Sequence, residues 1–194
     1  FGNHAGSALP LREGKGTAWE GGQREPCVVY YPKGIKGGRT IETPMMAIDI
    51  LPTIAEITGA TLPKNKIDGK SAWDIWTGKT DQSQHQAFFF YYKKNELHGV
   101  RYQDWKLYFP HTYRTLNNRA GGQDGYQAKY EINTVENIEL YDLKHDISET
   151  NDLASKHPEV VEKIKVLADE MRSKLGDKLY NIEGTENRPV GRIN

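Results

Sequence analysis

The sequence predicts an α/β chain in two parts: an α/β portion over residues 1–84 and an α+β portion, an antiparallel sheet with one packed helix, over residues 85–194. Three observations predict it. A long loop, a short apolar run and a short helix succeed one another in the first part. From about Ala87 the texture changes to aromatic-rich, β-favouring segments. One amphipathic helical pattern follows them.

The elements follow in order. Residues 1–26 are glycine-rich with little periodicity and predict a structured loop. "CVVYY" (27–31) is a continuous apolar run closed by Pro32 and Gly34, which predicts a buried strand with Cys27 as a packed core thiol. "IDILPTIAEITG" predicts a short helix, with Asp49 as its cap, Pro52 in the first turn and Gly59 at its end. "AFFFYYK" (87–93), "GVRYQDWKLYF" (99–109) and "IELYDL" (138–143) predict an antiparallel sheet, the second alternating around a Gln-Asp turn as a hairpin. The amide- and glycine-rich stretch 114–133 predicts a long loop of the sort tied to binding. "HPEVVEKIKVLADEMRSKLG" predicts a helix. Pro158 starts it, Val160, Ile164, Leu167, Met171 and Leu175 form its apolar stripe, and Gly176 ends it.

Composition narrows the function. The 26 basic residues balance 26 acidic ones, so there is no electrostatic case for nucleic acid or an anionic membrane surface. No apolar run approaches the roughly 18 residues of a membrane span. The single cysteine excludes an internal disulfide and a thiolate metal cluster. The 11 tyrosines and 4 tryptophans suggest amphipathic surfaces that could meet a ring-shaped ligand.

Chemistry concentrates in two places. "LREGKGTAWEGG" seats Lys15 between Gly14 and Gly16 but fails the P-loop pattern, because Gly16 follows the lysine and Leu9 stands five before Gly14. A solvated lysine on a glycine-lined turn and a point charge that neutralises a tetrahedral oxyanion both fit these residues. "FPHTYRT" groups His111, Tyr113 and Arg114, which offer a general acid, a stacking face and an anion clamp, or simply a hydrogen-bonded loop. His4 precedes the lysine loop, and no pair of histidines has zinc-site spacing.

Taken in order, "GNHAGSALPLREGKGTAWEGGQREPCVVYYP", "IDILPTIAEITGA", "IDGKS", "WKLYFPHTYRT" and "LYDLKHDISET" resemble the C-terminal portion of formylglycine-dependent sulfatases, of the arylsulfatase A and N-acetylgalactosamine-6-sulfatase type. "GKGTAWEGGQREP" is the most diagnostic piece, and the resemblance spans roughly residues 1–175. It implies an alkaline-phosphatase-like α/β sandwich whose large domain residues 1–84 would complete, with residues 85–194 as the small C-terminal domain. It also implies hydrolysis of sulfate esters of carbohydrates or aryl alcohols by a hydrated formylglycine with a calcium ion, in the periplasm or outside the cell. Lys15 matches the family's sulfate-contacting lysine, His4, His111, Tyr113 and Arg114 fall toward the substrate mouth, and Glu20, Gly21, Gly22 and Arg24 hold the loop, with Arg24 paired internally.

Departures from the pattern matter as much. Cys27 is followed by Val-Val-Tyr, and "SALPLR" has one residue too many for S-x-P-x-R. Nucleophile and metal ligands are therefore expected upstream, in an N-terminal portion of the same enzyme, and this chain alone is expected to be inactive. Ile147 stands where the family's L-Y-D-L-x-x-D-P has proline. A phosphate or phosphonate ester hydrolase of the same superfamily, or a non-catalytic carbohydrate-binding module, are the alternatives.

Overall fold

The computed structural model describes residues 6–117 and 119–189. In chain order the elements are α1 (Glu20–Gln23), α2 (Ile50–Thr58), α3 (Trp73–Thr77), β1 (Phe88–Tyr92), β2 (Glu96–Tyr102), β3 (Trp105–Tyr108), β4 (His111–Thr115), β5 (Glu131–Val135), β6 (Glu139–Asp142), α4 (Pro158–Leu175), β7 (Gly176–Asp177) and β8 (Ile182–Glu183). The described residues up to Glu25 group with those from Ala87 onward as one compact unit, and Pro26–Gln86 form another.

The first unit is built on the antiparallel sheet β1-β2-β3-β6. Its β2–β3 hairpin turns at Gln103-Asp104, as expected, with Tyr102 opposite Trp105 and Gln103 at a φ of 55°. Alternation along β3 sends Leu107 to one face and Lys106 and Tyr108 to the other. The register carries this into β6, where Leu107 pairs with Leu140 and Lys106 with Tyr141. On the Leu107 face the core is Leu97, Val100, Leu107 and Leu140 against Ile164, Leu167 and Ala168 of α4. That helix runs between the two residues expected to bound it, Pro158 and Gly176. On the other face Ala18 and Trp19 of the glycine-rich loop pack on Tyr108, Tyr113, Val135 and Tyr141.

The expected loop over 114–133 is shorter than its composition suggested. Its two ends pair as β4 and β5, with His111 opposite Val135 and Thr115 opposite Glu131. The polar tail after Asp177 folds back as β7–β8, where the Asp177 carboxylate takes the Arg172 Nε–H at 2.9 Å.

In the second unit, α2 ends at Gly59 in the left-handed conformation, φ 70°. Asp49 precedes the helix but does not cap it. Its buried carboxylate instead accepts the Met46 N–H (2.8 Å) and the Lys70 N–H (2.9 Å), and lies 2.7 Å from His85 Nε2. Residues 27–31 are not a strand. Val28 and Tyr30 are 94% and 88% exposed, and Cys27 is an exposed free thiol, not a core one. An apolar run becomes a buried strand only when neighbours complete its ladder and cover both faces, and no described residue pairs with this one.

Candidate functional site: the lysine loop

The division expected at residue 84 meets a local surprise, because residues 12–25 fold onto the sheet of the later residues. The loop closes on itself through the Gly21 N–H, which donates to the Arg12 carbonyl at 2.9 Å. A Cβ on Gly21 would collide with the carbonyls of Arg12 and Glu13, and one on Gly22 with Thr17, so this close approach requires both glycines. Trp19 is 0% exposed. Its ring lies 4.0 Å from Tyr108 between centroids, edge-on to Tyr113 and Tyr141, and the Arg12 guanidinium sits 3.6 Å over it.

Beneath the loop is a buried polar cluster. The Lys106 ammonium donates to the Ala18 carbonyl (2.8 Å) and to Glu20 Oε1 (2.6 Å). Glu149 Oε2 accepts the Glu20 N–H at 2.9 Å, and the Tyr108 hydroxyl donates to Glu149 Oε1. Arg12 reaches the Glu149 main-chain carbonyl at 2.8 Å. Burial pulls the Lys106 ammonium below its usual range, against the pull of Glu20 and Glu149. It pushes the Glu149 carboxyl up, against Lys106 and the Tyr108 hydroxyl.

Lys15 sits at the exposed bend of this loop, flanked by anchors. On one side Glu13 accepts the Thr115 hydroxyl at 2.6 Å. On the other the Thr17 hydroxyl donates to the Gly14 carbonyl at 3.0 Å, and the Gln23 amide to the Thr17 carbonyl at 2.7 Å. Arg114 Nη2 donates to the Lys15 carbonyl at 3.1 Å, with its guanidinium 4.9 Å over the Tyr130 ring. Gly16, at φ 104°, makes room for it, since the Arg114 guanidinium occupies the place a Cβ would take. Gly16→Ala is expected to cost about 1–3 kcal/mol, because the backbone conformation stays strained even if Arg114 swings aside. Urea unfolding would measure it; a loss below about 0.5 kcal/mol would mean that the backbone relaxes.

The sequence-derived candidates therefore separate. Lys15 and Arg114 come together at the loop. His111 and Tyr113 alternate with Arg114 along β4 and point inward, both buried. His111 Nδ1 lies 2.6 Å from the Phe109 carbonyl and its ring stacks on His98 at 3.9 Å, while the Tyr113 hydroxyl accepts from Asn133 at 3.1 Å. His4 lies outside the described residues. Glu20 holds the loop as expected, but Arg24 is exposed and makes no ion pair among the described residues: the helical turn α1 ends before it and points it to solvent. Arg12, Trp19, Lys106, Tyr108 and Glu149 carry no motif that singles them out in the sequence. The available signal was a lysine at a core-facing position within "WKLYF".

Two family models match the chain: a sulfatase model over residues 2–60, and the C-terminal region of aryl-sulfatase over residues 83–190. Mouse steryl-sulfatase is 31% identical over 183 residues, which is 88% of this chain and 29% of that protein. Human arylsulfatase A is 34% identical over 165 residues, 81% of this chain and 32% of that one. The chain thus spans about a third of the length of these relatives. Among solved structures, one from work on the metabolism of multiple glycosaminoglycans by Bacteroides thetaiotaomicron is similar at a TM-score of 0.66 and 27% identity, covering 84% of this chain and 32% of that one. A sulfatase from Pseudoalteromonas sp. shares the fold at a TM-score of 0.62 and 22% identity, covering 84% and 33%.

Proposed function

This chain belongs to the sulfatase family and carries the C-terminal region of its alkaline-phosphatase-like α/β fold, and from that premise we propose that the complete protein hydrolyses sulfate esters of carbohydrates or aryl alcohols, with Lys15 contacting the sulfate. The observation that carries the reading is the exposed Lys15 on a loop whose neighbours on both sides are anchored in the sheet unit. A compact ammonium held in place stabilises the charge that builds on the leaving oxygen as the sulfur–oxygen bond breaks, without reorganising at that moment. Arg114, beside Lys15, is the substrate contact of its group, while His111 and Tyr113 brace the strand that carries it. Similarity to a structure from work on multiple glycosaminoglycans favours a sulfated carbohydrate.

The remaining parts of the reaction belong elsewhere in the protein. The family resemblance implies a formylglycine nucleophile and a calcium ion that polarises the sulfate. Among the described residues no group of three or more His, Cys, Asp or Glu side chains is placed to hold a metal, and Cys27 lacks the C-x-P-x-R surroundings. On this reading the calcium ligands and the nucleophile belong to an N-terminal portion, with residues 1–84 completing the large domain and 85–194 forming the small one, onto whose sheet residues 12–25 fold. The separate matches at 2–60 and 83–190 support that division. No helix among the described residues is long and apolar enough to cross a membrane. The same reading assigns the complete protein to the periplasm or the extracellular space.

The test is turnover of an aryl sulfate. The complete protein is expected to show it and the 194-residue chain alone to show none. Lys15→Ala should lower kcat on the order of 10²-fold, as loss of one preorganised charge-stabilising donor does. An unchanged kcat, or a preference for the aryl phosphate, would overturn the assignment.

A further inference from the structure

We propose that Glu149 and Lys106 are positioning residues for Lys15, fixing from beneath the loop that presents it. The inference rests on the assignment of Lys15 to the sulfate. Glu149 touches the loop on both sides of Lys15. Its main-chain carbonyl accepts from Arg12 at 2.8 Å, and its carboxylate accepts the Glu20 N–H at 2.9 Å. Lys106 holds the Ala18 carbonyl and the Glu20 carboxylate at 2.8 and 2.6 Å. Tyr108 joins the two, its hydroxyl lying within reach of both the Ala18 carbonyl and Glu149.

Lys106 and the Glu149 side chain are both fully buried, which is a poor way to gain stability alone. Removing two charges from water is costly, and well-packed apolar residues of like volume often do as well. What the cluster provides instead is direction. Hydrogen bonds to one carbonyl, one amide and one carboxylate fix the loop's path where apolar packing would leave it free to slide. A displacement of about 1 Å at the ammonium is enough to lower a rate by up to 10²-fold. Both side chains are closed off from solvent beneath the loop whereas Lys15 is exposed, so their effect runs through Lys15.

The experiment is a double-mutant cycle in the complete protein on an aryl sulfate. Glu149→Leu is expected to lower kcat about tenfold or more with KM changed less than about threefold, and Glu149→Gln, which keeps shape and acceptor, to recover most of the loss. In a Lys15→Ala background Glu149→Leu should add almost nothing, because its effect passes through the side chain already removed. Tyr108→Phe, which deletes one hydroxyl from the same cluster, gives the same test should Glu149→Leu fail to fold. Its loss of kcat is about threefold, and it too should vanish in the Lys15→Ala background. Folded Glu149 or Tyr108 variants with full kcat, or with equal losses in both backgrounds, overturn the proposal. If Lys15→Ala itself leaves kcat unchanged, the sulfate assignment falls and takes this inference with it. If Lys15→Ala is impaired while these variants are not, only the positioning role falls.

Discussion

Trp19→Ala is expected to destabilise the sheet unit by about 3–5 kcal/mol, the range for deleting a fully buried aromatic that its surroundings cannot refill. The ring touches four partners at once: Tyr108, Tyr113, Tyr141 and, stacked above it, Arg12. Those partners come from four separate stretches of chain, so they cannot collapse together into the void. The substitution also strips Arg12 of the face it lies on. Chemical denaturation checks this directly: the midpoint should fall with an unchanged slope. A loss under about 1 kcal/mol would show that the loop is only laid on the sheet and not part of its core.

That a tryptophan in a glycine-rich loop anchors a core was not legible locally, although much else was. The β2–β3 turn and the limits of α4 were readable because periodicity, a two-residue turn and terminal proline and glycine act within a few residues. The run at 27–31 failed because strand formation depends on partners that no described residue supplies. Lys15 stood out by its glycines, but the residues that hold it did not. Glu20 meets Lys106 86 residues away and Glu149 129 away, so only contacts between three distant stretches of chain make them neighbours. His111 and Tyr113 were grouped with Arg114 by proximity in sequence, yet alternation along β4 turns them to the opposite side.

The second large effect is acid sensitivity. His111, 4% exposed, has its pKa pushed down to about 4, first by burial and then by the neighbouring His98, whose own pKa is also lowered by burial. Lys93 opposes protonation as well, while Glu96 and the Phe109 carbonyl favour it. The unfolded chain takes up a proton at His111 near pH 6.5, and the folded one only near 4. Between those values the unfolded state binds more protons, so stability falls as pH falls and the loss is complete below about 4. His111 alone accounts for about 3 kcal/mol of that loss. His111→Gln should lower stability at neutral pH but flatten the profile between pH 6.5 and 4, measured by urea unfolding at each pH. An equally steep profile in the variant would place the acid sensitivity elsewhere.

The attachment of residues 12–25 to the sheet bears on how members of the family can be recombined. A graft that exchanged the C-terminal sheet between two relatives at the break near residue 85 would leave the lysine loop seated on a foreign surface. Trp19 would then depend on the incoming sheet for its aromatic socket, and Glu20 for its lysine. The transferable piece is therefore discontinuous, the sheet together with the short segment far upstream that lies on it. Lineages that exchanged these parts would have had to exchange both, or rebuild the seat.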